Sequence, residues 1–138
     1  MVDDAPGLSG THHVALTVTD LGASLQWYRE VLGFERVPQL DYDHPDGGGR
    51  AAVTVQPGSN TVLVLHHHDA NGGERFTESR TGLDHVCFRV PDRAAIEAWE
   101  RRLERLGVDH SPVGEQSGAL FLVFRDPDNI QLELGTAD

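Results

Sequence analysis

The sequence predicts an α+β domain made of two βαβββ modules, and three observations support this prediction. An octapeptide recurs: HVALTVTD begins at His13 and returns as HVCFRVPD at His85, with four of eight positions identical at a lag of 72 residues. Apolar and polar residues alternate within each copy, as in a strand with one buried face. Each copy then leads into an apolar stripe at helical spacing. One such unit cannot bury its apolar face alone, so the two modules are expected to pack together.

The repeated strands place equivalent histidines on equivalent faces. Side chains two positions apart share a face of a strand. The apolar faces are therefore predicted to hold Val14, Leu16 and Val18 in the first copy, and Val86, Phe88 and Val90 in the second. His13 and His85 lead the opposite faces. Both imidazoles are thus expected to line one concavity.

A helix is predicted after each of these strands. Asp20 and Asp92 are suitable N-caps, and Gly33 and Gly107 are suitable stops. The apolar stripes between them are Leu21, Leu25, Tyr28 and Leu32 in the first copy, and Ile96, Trp99, Leu103 and Leu106 in the second. Both modules are therefore predicted to begin with the same order of elements: a strand, an aspartate N-cap, a helix and a terminating glycine.

Three short extended runs follow each helix and complete each module. They are predicted at 35–39, 51–55 and 61–67, and at 109–113, 120–125 and 130–134, with turns at DYDHPDGGG, PGSN, GEQSG and DPDN. The predicted organisation is a flexible leader at 1–10, a first module at 11–68, a linker at 69–81 and a second module at 82–138, with a single domain over 11–135.

The amino-acid composition disfavours several classes of binding partner and excludes some types of catalysis. The chain carries 22 acidic and 11 basic residues, and its net charge of −11 disfavours binding to nucleic acid or to an anionic membrane surface. All eleven basic residues are arginines, which excludes lysine Schiff-base chemistry. One cysteine excludes an intrachain disulfide, and no apolar run is long enough to cross a bilayer. The expectation is a soluble cytoplasmic protein that binds a small molecule.

A metal site is predicted from three residues. In the last strand, NIQLEL, Glu133 alternates with Leu132 and Leu134 and so points away from the apolar face. Together with His13 and His85 it makes two imidazoles and one carboxylate, a set that leaves open positions on a divalent ion. Each residue taken alone is more typical of a solvated or hydrogen-bonded strand position than of a metal ligand, and only the joint pattern favours the site. Fe, Mn, Ni, Co and Zn all suit this set.

Three segments resemble the vicinal oxygen chelate superfamily: HHVALTVTDLGASLQWYREVLGFE, GLDHVCFRVPD and LVFRDPDNIQLEL. That superfamily includes glyoxalase I, extradiol dioxygenases, fosfomycin-modifying transferases, methylmalonyl-CoA epimerases and bleomycin-resistance proteins. The resemblance runs from His13 to Leu134. It implies a glyoxalase-like fold whose curled mixed sheets surround a central cavity. It also implies one divalent metal held by His13, His85 and Glu133, and a homodimer whose modules pair within one chain or between two.

The chain departs from the family pattern at informative positions. Val64 occupies the place of a fourth, polar ligand in glyoxalase I and the epimerases, and valine cannot bind a metal. Ala15 replaces the threonine that the fosfomycin enzymes have two residues after their first histidine. Extradiol dioxygenases carry a tyrosine in the second half, whereas Tyr28 and Tyr42 both lie in the first. The reaction therefore remains open between lyase, isomerase and ring-cleaving dioxygenase.

Four further residues are predicted on the cavity face. His66 shares a face with Val64 and is the candidate general base, and His68 follows it at the rim. Cys87 and Arg89 share the face of His85 and are candidate substrate contacts, with Arg89 suited to a carboxylate or phosphate. The plainer interpretations are a solvated strand end for the histidines, a buried filler for the thiol and a structural salt bridge for the guanidinium.

The predicted function is that of a metal-dependent, glyoxalase-like enzyme. Its metal would chelate vicinal oxygens of a small oxygen-bearing metabolite, as the resemblance implies. An alternative is a metal-free protein that sequesters a drug, as bleomycin-resistance members do, and the acidic net charge would favour a cationic drug. A second alternative is a metal-free structural domain.

Overall fold

A computed structural model describes residues 4–137 of the chain. In the first module the elements are β1 (Val14–Thr17), α1 (Leu21–Trp27), a π-helical turn (Tyr28–Leu32), β2 (Glu35–Arg36), a 3-10 turn (Pro38–Leu40), β3 (Tyr42–Asp43), β4 (Gly49–Gln56) and β5 (Thr61–His68). In the second they are β6 (Val86–Val90), α2 (Arg93–Arg105), β7 (Gly114–Gln116), β8 (Ala119–Arg125) and β9 (Gln131–Thr136). Neither α-helix of the described chain has the length and apolar character needed to cross a membrane.

Each module forms its own mixed sheet. The first sheet has the strand order β1-β5-β4-β2, with β3 also paired to β4, and the second has the order β6-β9-β8-β7. In both, the first strand lies at an edge and runs parallel to the last strand, while the remaining pairs are antiparallel. This equivalence confirms the predicted α+β fold of repeated βαβββ modules.

The predicted caps and strand faces are confirmed. Asp20 accepts a hydrogen bond from the amide of Ala23, and Asp92 accepts one from the amide of Ala95. Gly33 adopts a left-handed φ of 77° where the first helical segment stops. The predicted apolar stripe of α2 is wrong at one position, because Leu106 falls beyond the last helical residue and is 46% exposed.

One predicted strand is too long, and another is wrong. The run 35–39 keeps only two strand residues, because Pro38 starts a 3-10 turn and has no amide hydrogen for the ladder. The run 109–113 contains only an isolated bridge from His110 to Phe124. Strand β7 forms instead within the predicted GEQSG turn, because Ser117 and Gly118 adopt positive φ values of 53° and 85° and make a tight hairpin.

One hydrophobic core joins the two modules. Its members include residues from both repeats, such as Val18 and Leu132, which are fully buried. Aromatic rings cross between modules, with ring centroids 5.6 Å apart for Phe34 and Phe88. The amide and hydroxyl of Thr19 also bind the carboxylate of Asp128 at 3.0 and 2.5 Å. The apolar faces therefore pack inward, and the histidine-bearing faces lie outside this core.

Candidate functional site

His85 and Glu133 meet at the edge of the second sheet. His85 directly precedes β6, and the parallel register pairs Cys87 with Glu133 on β9. The imidazole Nε2 of His85 lies 3.0 Å from Oε2 of Glu133, whose side chain is 13% exposed. The structure therefore brings together two of the three predicted metal ligands.

Polar partners orient both groups of this pair. Nδ1 of His85 lies 2.7 Å from Oδ1 of Asp84, and Nε2 of Gln131 donates to Oε2 of Glu133 at 3.1 Å. An imidazole that donates from Nδ1 to a carboxylate carries its lone pair on Nε2, which is the usual arrangement behind a metal-binding histidine. With that arrangement, Nε2 of His85 and Oε2 of Glu133 present two ligand atoms 3.0 Å apart, which one metal ion can bind together. The donor set thus fits a divalent metal.

His13 lies apart from this pair in a single chain. It directly precedes β1, is exposed, and its Nδ1 lies 2.8 Å from Nδ1 of His12. Within residues 4–137, the ligand atoms of His13, His85 and Glu133 do not all approach within 4.8 Å of one another. One chain therefore assembles the imidazole–carboxylate pair without the third predicted ligand.

A second group of ligating side chains lies on the first sheet. His66 and His68 project from the same face of β5, and Nδ1 of His66 lies 2.9 Å from Nε2 of His44. All three side chains offer ligand atoms within 4.8 Å of one another. We call His44, His66 and His68 the three-histidine cluster. Sequence reasoning missed His44 because it assigned the segment to a loop, and the only signal was the histidine itself within a glycine-rich turn.

The three-histidine cluster opens onto a cleft of about 540 Å³. Burial lowers the pKa of His66, and neighbouring imidazoles lower it further. These neighbours are His44, His68 and His13. A neutral imidazole at neutral pH can accept a proton, as the predicted general base requires. The other residues that line the cleft are Ala15, Leu16, Thr17, Pro45 and Asp46.

Cys87 and Arg89 lie in a different cleft, of about 580 Å³, that Phe34 and Trp99 also line. Both residues are exposed. Partial desolvation by the neighbouring side chains raises the pKa of the Cys87 thiol, and the negative charge of Glu133 raises it further, so the thiol is a poor nucleophile at neutral pH. Within one chain, the structure therefore separates these predicted substrate contacts from His66 and His68.

Val64 fills the position of the absent fourth ligand. It is 5% exposed and pairs with Ala15 of β1 and Val53 of β4. It lies outside the main core and on the face that carries His66. The position for which the resemblance implies a polar ligand in some family members is therefore apolar and buried in this chain.

Comparison with known proteins places these features in a family. The model of the Glyoxalase/Bleomycin resistance protein/Dioxygenase superfamily matches residues 10–134. The crystal structure of a glyoxylase/bleomycin resistance protein/dioxygenase domain from Frankia sp. EAN1pec has 36% sequence identity and a TM-score of 0.83, and the match covers 96% of this chain and 94% of that one.

Relatives with named activities differ in chemistry. The ethylmalonyl-CoA/methylmalonyl-CoA epimerase of Cereibacter sphaeroides is 34% identical over 89% of this chain and 94% of its own length. A proposed ring-cleaving dioxygenase of Bacillus subtilis (strain 168), MhqA, is 28% identical over 92% of this chain. The chain spans only 39% of the length of that dioxygenase relative.

Proposed function

The chain belongs to the glyoxalase, bleomycin resistance protein and dioxygenase superfamily, and we propose that it works there as a divalent-metal-dependent enzyme on a small oxygen-bearing metabolite. The reaction would be of the lyase, isomerase or ring-cleaving dioxygenase type, and relatives named as an epimerase and a proposed dioxygenase support an enzyme. The observation that carries the proposal is the 3.0 Å approach of Nε2 of His85 to Oε2 of Glu133.

The metal would be held by His13, His85 and Glu133. Fe, Mn, Ni, Co and Zn are all compatible with two imidazoles and one carboxylate. When bound, the ion would act as a Lewis acid: two neighbouring substrate oxygens would chelate it, and it would stabilise negative charge on them. Asp84 orients the imidazole of His85, and Gln131 orients the carboxylate of Glu133.

We propose that a second copy of the chain completes this site in a homodimer. His13, His66 and His68 belong to one face of the first sheet, and His85, Cys87, Arg89 and Glu133 belong to one face of the second. Contact between these faces in different copies would bring His13 to the imidazole–carboxylate pair. The same contact would unite predicted substrate contacts that lie in separate clefts of one chain.

Within the completed site, His66 would move the proton. Its lowered pKa keeps the imidazole neutral and able to accept a proton from the substrate near neutral pH. The guanidinium of Arg89 would bind a substrate carboxylate or phosphate, and His68 and Cys87 would line the entrance. The surrounding strands position these side chains, because each lies on or next to a paired strand.

Elemental analysis tests the metal. Untagged protein, purified without chelators, is expected to hold an ion that the Glu133→Ala variant loses, while the control Glu115→Ala, which changes an exposed acid of β7, keeps it. Wild-type protein with no metal after reconstitution under reducing conditions would overturn the proposal and favour the drug-sequestering alternative.

Mixing two inactive variants tests the dimer. His13→Ala and Glu133→Ala each remove one ligand from every site. If a site draws on two chains, random exchange of subunits restores about a quarter of the sites, because half of the dimers are mixed and each has one intact site. A site within one chain would recover nothing on mixing, and the metal content would stay at the level of the separate variants.

A further inference from the structure

We propose that His44, His66 and His68 form a second metal site, for a divalent transition ion with affinity for imidazole, such as Zn²⁺. Three imidazoles with an open fourth position are a known ligand set for Zn²⁺. This inference goes beyond the proposed function, although it uses His66 and His68 of the same sheet face. An ion bound to His66 would occupy the lone pair that proton transfer requires, so the proposed general base works only while this second site is empty. Neither His85 nor Glu133 lines the cleft that contains the three-histidine cluster. The two sites can therefore be tested separately.

The candidate ligand nitrogens of the three histidines lie close together without a bound ion. Those of the three-histidine cluster all lie within 4.8 Å of one another. In a tetrahedral site with Zn–N bonds of about 2.0–2.1 Å, the ligand nitrogens are about 3.4 Å apart. Nε2 of His44 and Nδ1 of His66 are 2.9 Å apart and share a hydrogen bond. Small rotations of the three rings would therefore bring them to metal-binding distance.

The backbone beneath the cluster is rigid. His66 and His68 lie two positions apart on β5, which is paired on both sides, with β1 and β4. His44 is held by a short hairpin, in which its amide donates to the carbonyl of Gly49 at 2.8 Å and its carbonyl accepts from the amide of Gly47 at 2.9 Å. Sites built on paired strands hold their ligands more accurately than sites on free loops.

The position of His44 depends on the absence of a side chain at Gly49. A Cβ atom there would lie 2.6 Å from Nδ1 of His44 and would clash with the carbonyl oxygen of His67. Only glycine allows the ring of His44 to lie against the neighbouring strand. The close approach of this ring to β5 is thus built into the hairpin.

The three-histidine cluster differs from other histidines of the chain in the groups that its rings contact. His67, His85 and His110 each lie within 4.0 Å of a carboxylate oxygen. Within residues 4–137, no such contact involves the three-histidine cluster, whose rings pack on one another with centroids 4.7–5.9 Å apart. The ring nitrogens of the cluster therefore lie close to one another and away from carboxylates, as in a site made of imidazoles alone.

Cobalt titration of the full chain tests the site. Chelator-stripped Glu133→Gln protein, which lacks a ligand of the other site, is expected to bind one equivalent of Co²⁺ with the visible absorption of a tetrahedral ion, and Zn²⁺ is expected to displace it. Adding His44→Gln or His68→Gln should weaken binding at least about 100-fold. The matched control is His67→Gln, which lies on the same strand but points to the opposite face and contacts Asp69 at 3.4 Å.

Nitrogen-15 spectra of the imidazoles in wild-type protein give an independent readout that requires no variant. Addition of Zn²⁺ should shift the ring nitrogens of His44, His66 and His68 and leave those of His67 unchanged. Absence of Co²⁺ binding in Glu133→Gln, or binding that His44→Gln leaves unchanged, would overturn this inference alone. If Glu133→Ala retains all the metal of the wild type, the proposed function fails and the second site is unaffected.

Discussion

The hydroxyl of Tyr28 donates a hydrogen bond of 2.8 Å to the carboxylate of Asp126, a residue of the other module 98 positions later. Both side chains are buried. The second oxygen of Asp126 accepts from the amides of Asp128 and Ile130 and so shapes the turn between β8 and β9. Burial raises the pKa of both groups above their usual values. This bond ties the end of the first helix to the second sheet.

Removal of this hydroxyl is expected to destabilise the fold. Tyr28→Phe leaves a buried carboxylate oxygen without its donor, and hydrogen bonds to charged groups contribute about 1.5–3 kcal/mol. Urea denaturation should show a loss of this order. Tyr42→Phe is the control, because Tyr42 is 48% exposed, and it should change stability by less than about 0.5 kcal/mol. Equal effects of the two variants would contradict the prediction.

Arg102 of α2 links the two helices. Its Nε donates to the carbonyl of Val31 at 2.9 Å, and its Nη2 donates to that of Glu30 at 2.7 Å. These carbonyls belong to the π-helical turn that follows α1, where free acceptors need partners. Arg102→Ala should lower the free energy of unfolding by about 1–3 kcal/mol. Arg102→Lys should recover only part of this loss, because the lysine ammonium cannot reproduce the two hydrogen bonds that the planar guanidinium donates to separate carbonyls. Arg101→Ala, on the exposed side of α2, should cost little; a similar loss there would argue against the helix link.

Gly49→Ala should strain the hairpin that carries His44. The added methyl group clashes with the carbonyl oxygen of His67, and overpacking of this kind costs about 1–3 kcal/mol. Gly22→Ala is the matched control, because its Cβ would approach no heavy atom closer than 3.7 Å and alanine favours the helix by up to about 1 kcal/mol. Thermal unfolding of both variants measures the contrast. A Gly49→Ala protein as stable as the wild type would show that the strands separate easily here.

The ion pair of Glu78 with Arg125 should make stability depend on pH. Two hydrogen bonds of 2.8 and 2.9 Å from the guanidinium lower the pKa of Glu78 from its usual 4.5 to about 2. Because the folded pKa lies below the unfolded one, the pair stabilises the protein above pH 4.5 and this contribution is lost as the pH falls towards 2.

Urea denaturation between pH 7 and pH 2.5 checks this dependence against Glu78→Gln. The wild type should be the more stable protein at pH 7, and the difference should shrink across the acidic range. High salt should reduce the difference at pH 7, because both side chains are partly exposed. Parallel stability curves for the two proteins would exclude a contribution from this ion pair.

Local rules carried most of the fold prediction. The caps at Asp20 and Asp92 depend on a hydrogen bond to an amide only three residues away. Strand faces follow from alternation, which needs no knowledge of the partner strand. The strand predictions were wrong where the formation of a strand depends on which other segment it pairs with. Strand β7 exists because the hairpin at Ser117 and Gly118 folds it onto β8. The run before it makes only an isolated bridge to β8, because the amide of Val123 donates to the hydroxyl oxygen of Ser111 and not to a backbone carbonyl.

The sequence alone determined on which face of its strand each candidate side chain lies. His85 and Glu133 could each be placed on the face opposite the apolar one, because alternation within a strand is a local pattern. Only the tertiary structure decided which of these side chains meet. It joins His44 to His66 across 22 positions, keeps His13 away from the imidazole–carboxylate pair in one chain, and couples Tyr28 to Asp126. Such contacts arise from the packing of distant segments around a shared core, and no local pattern encodes that geometry.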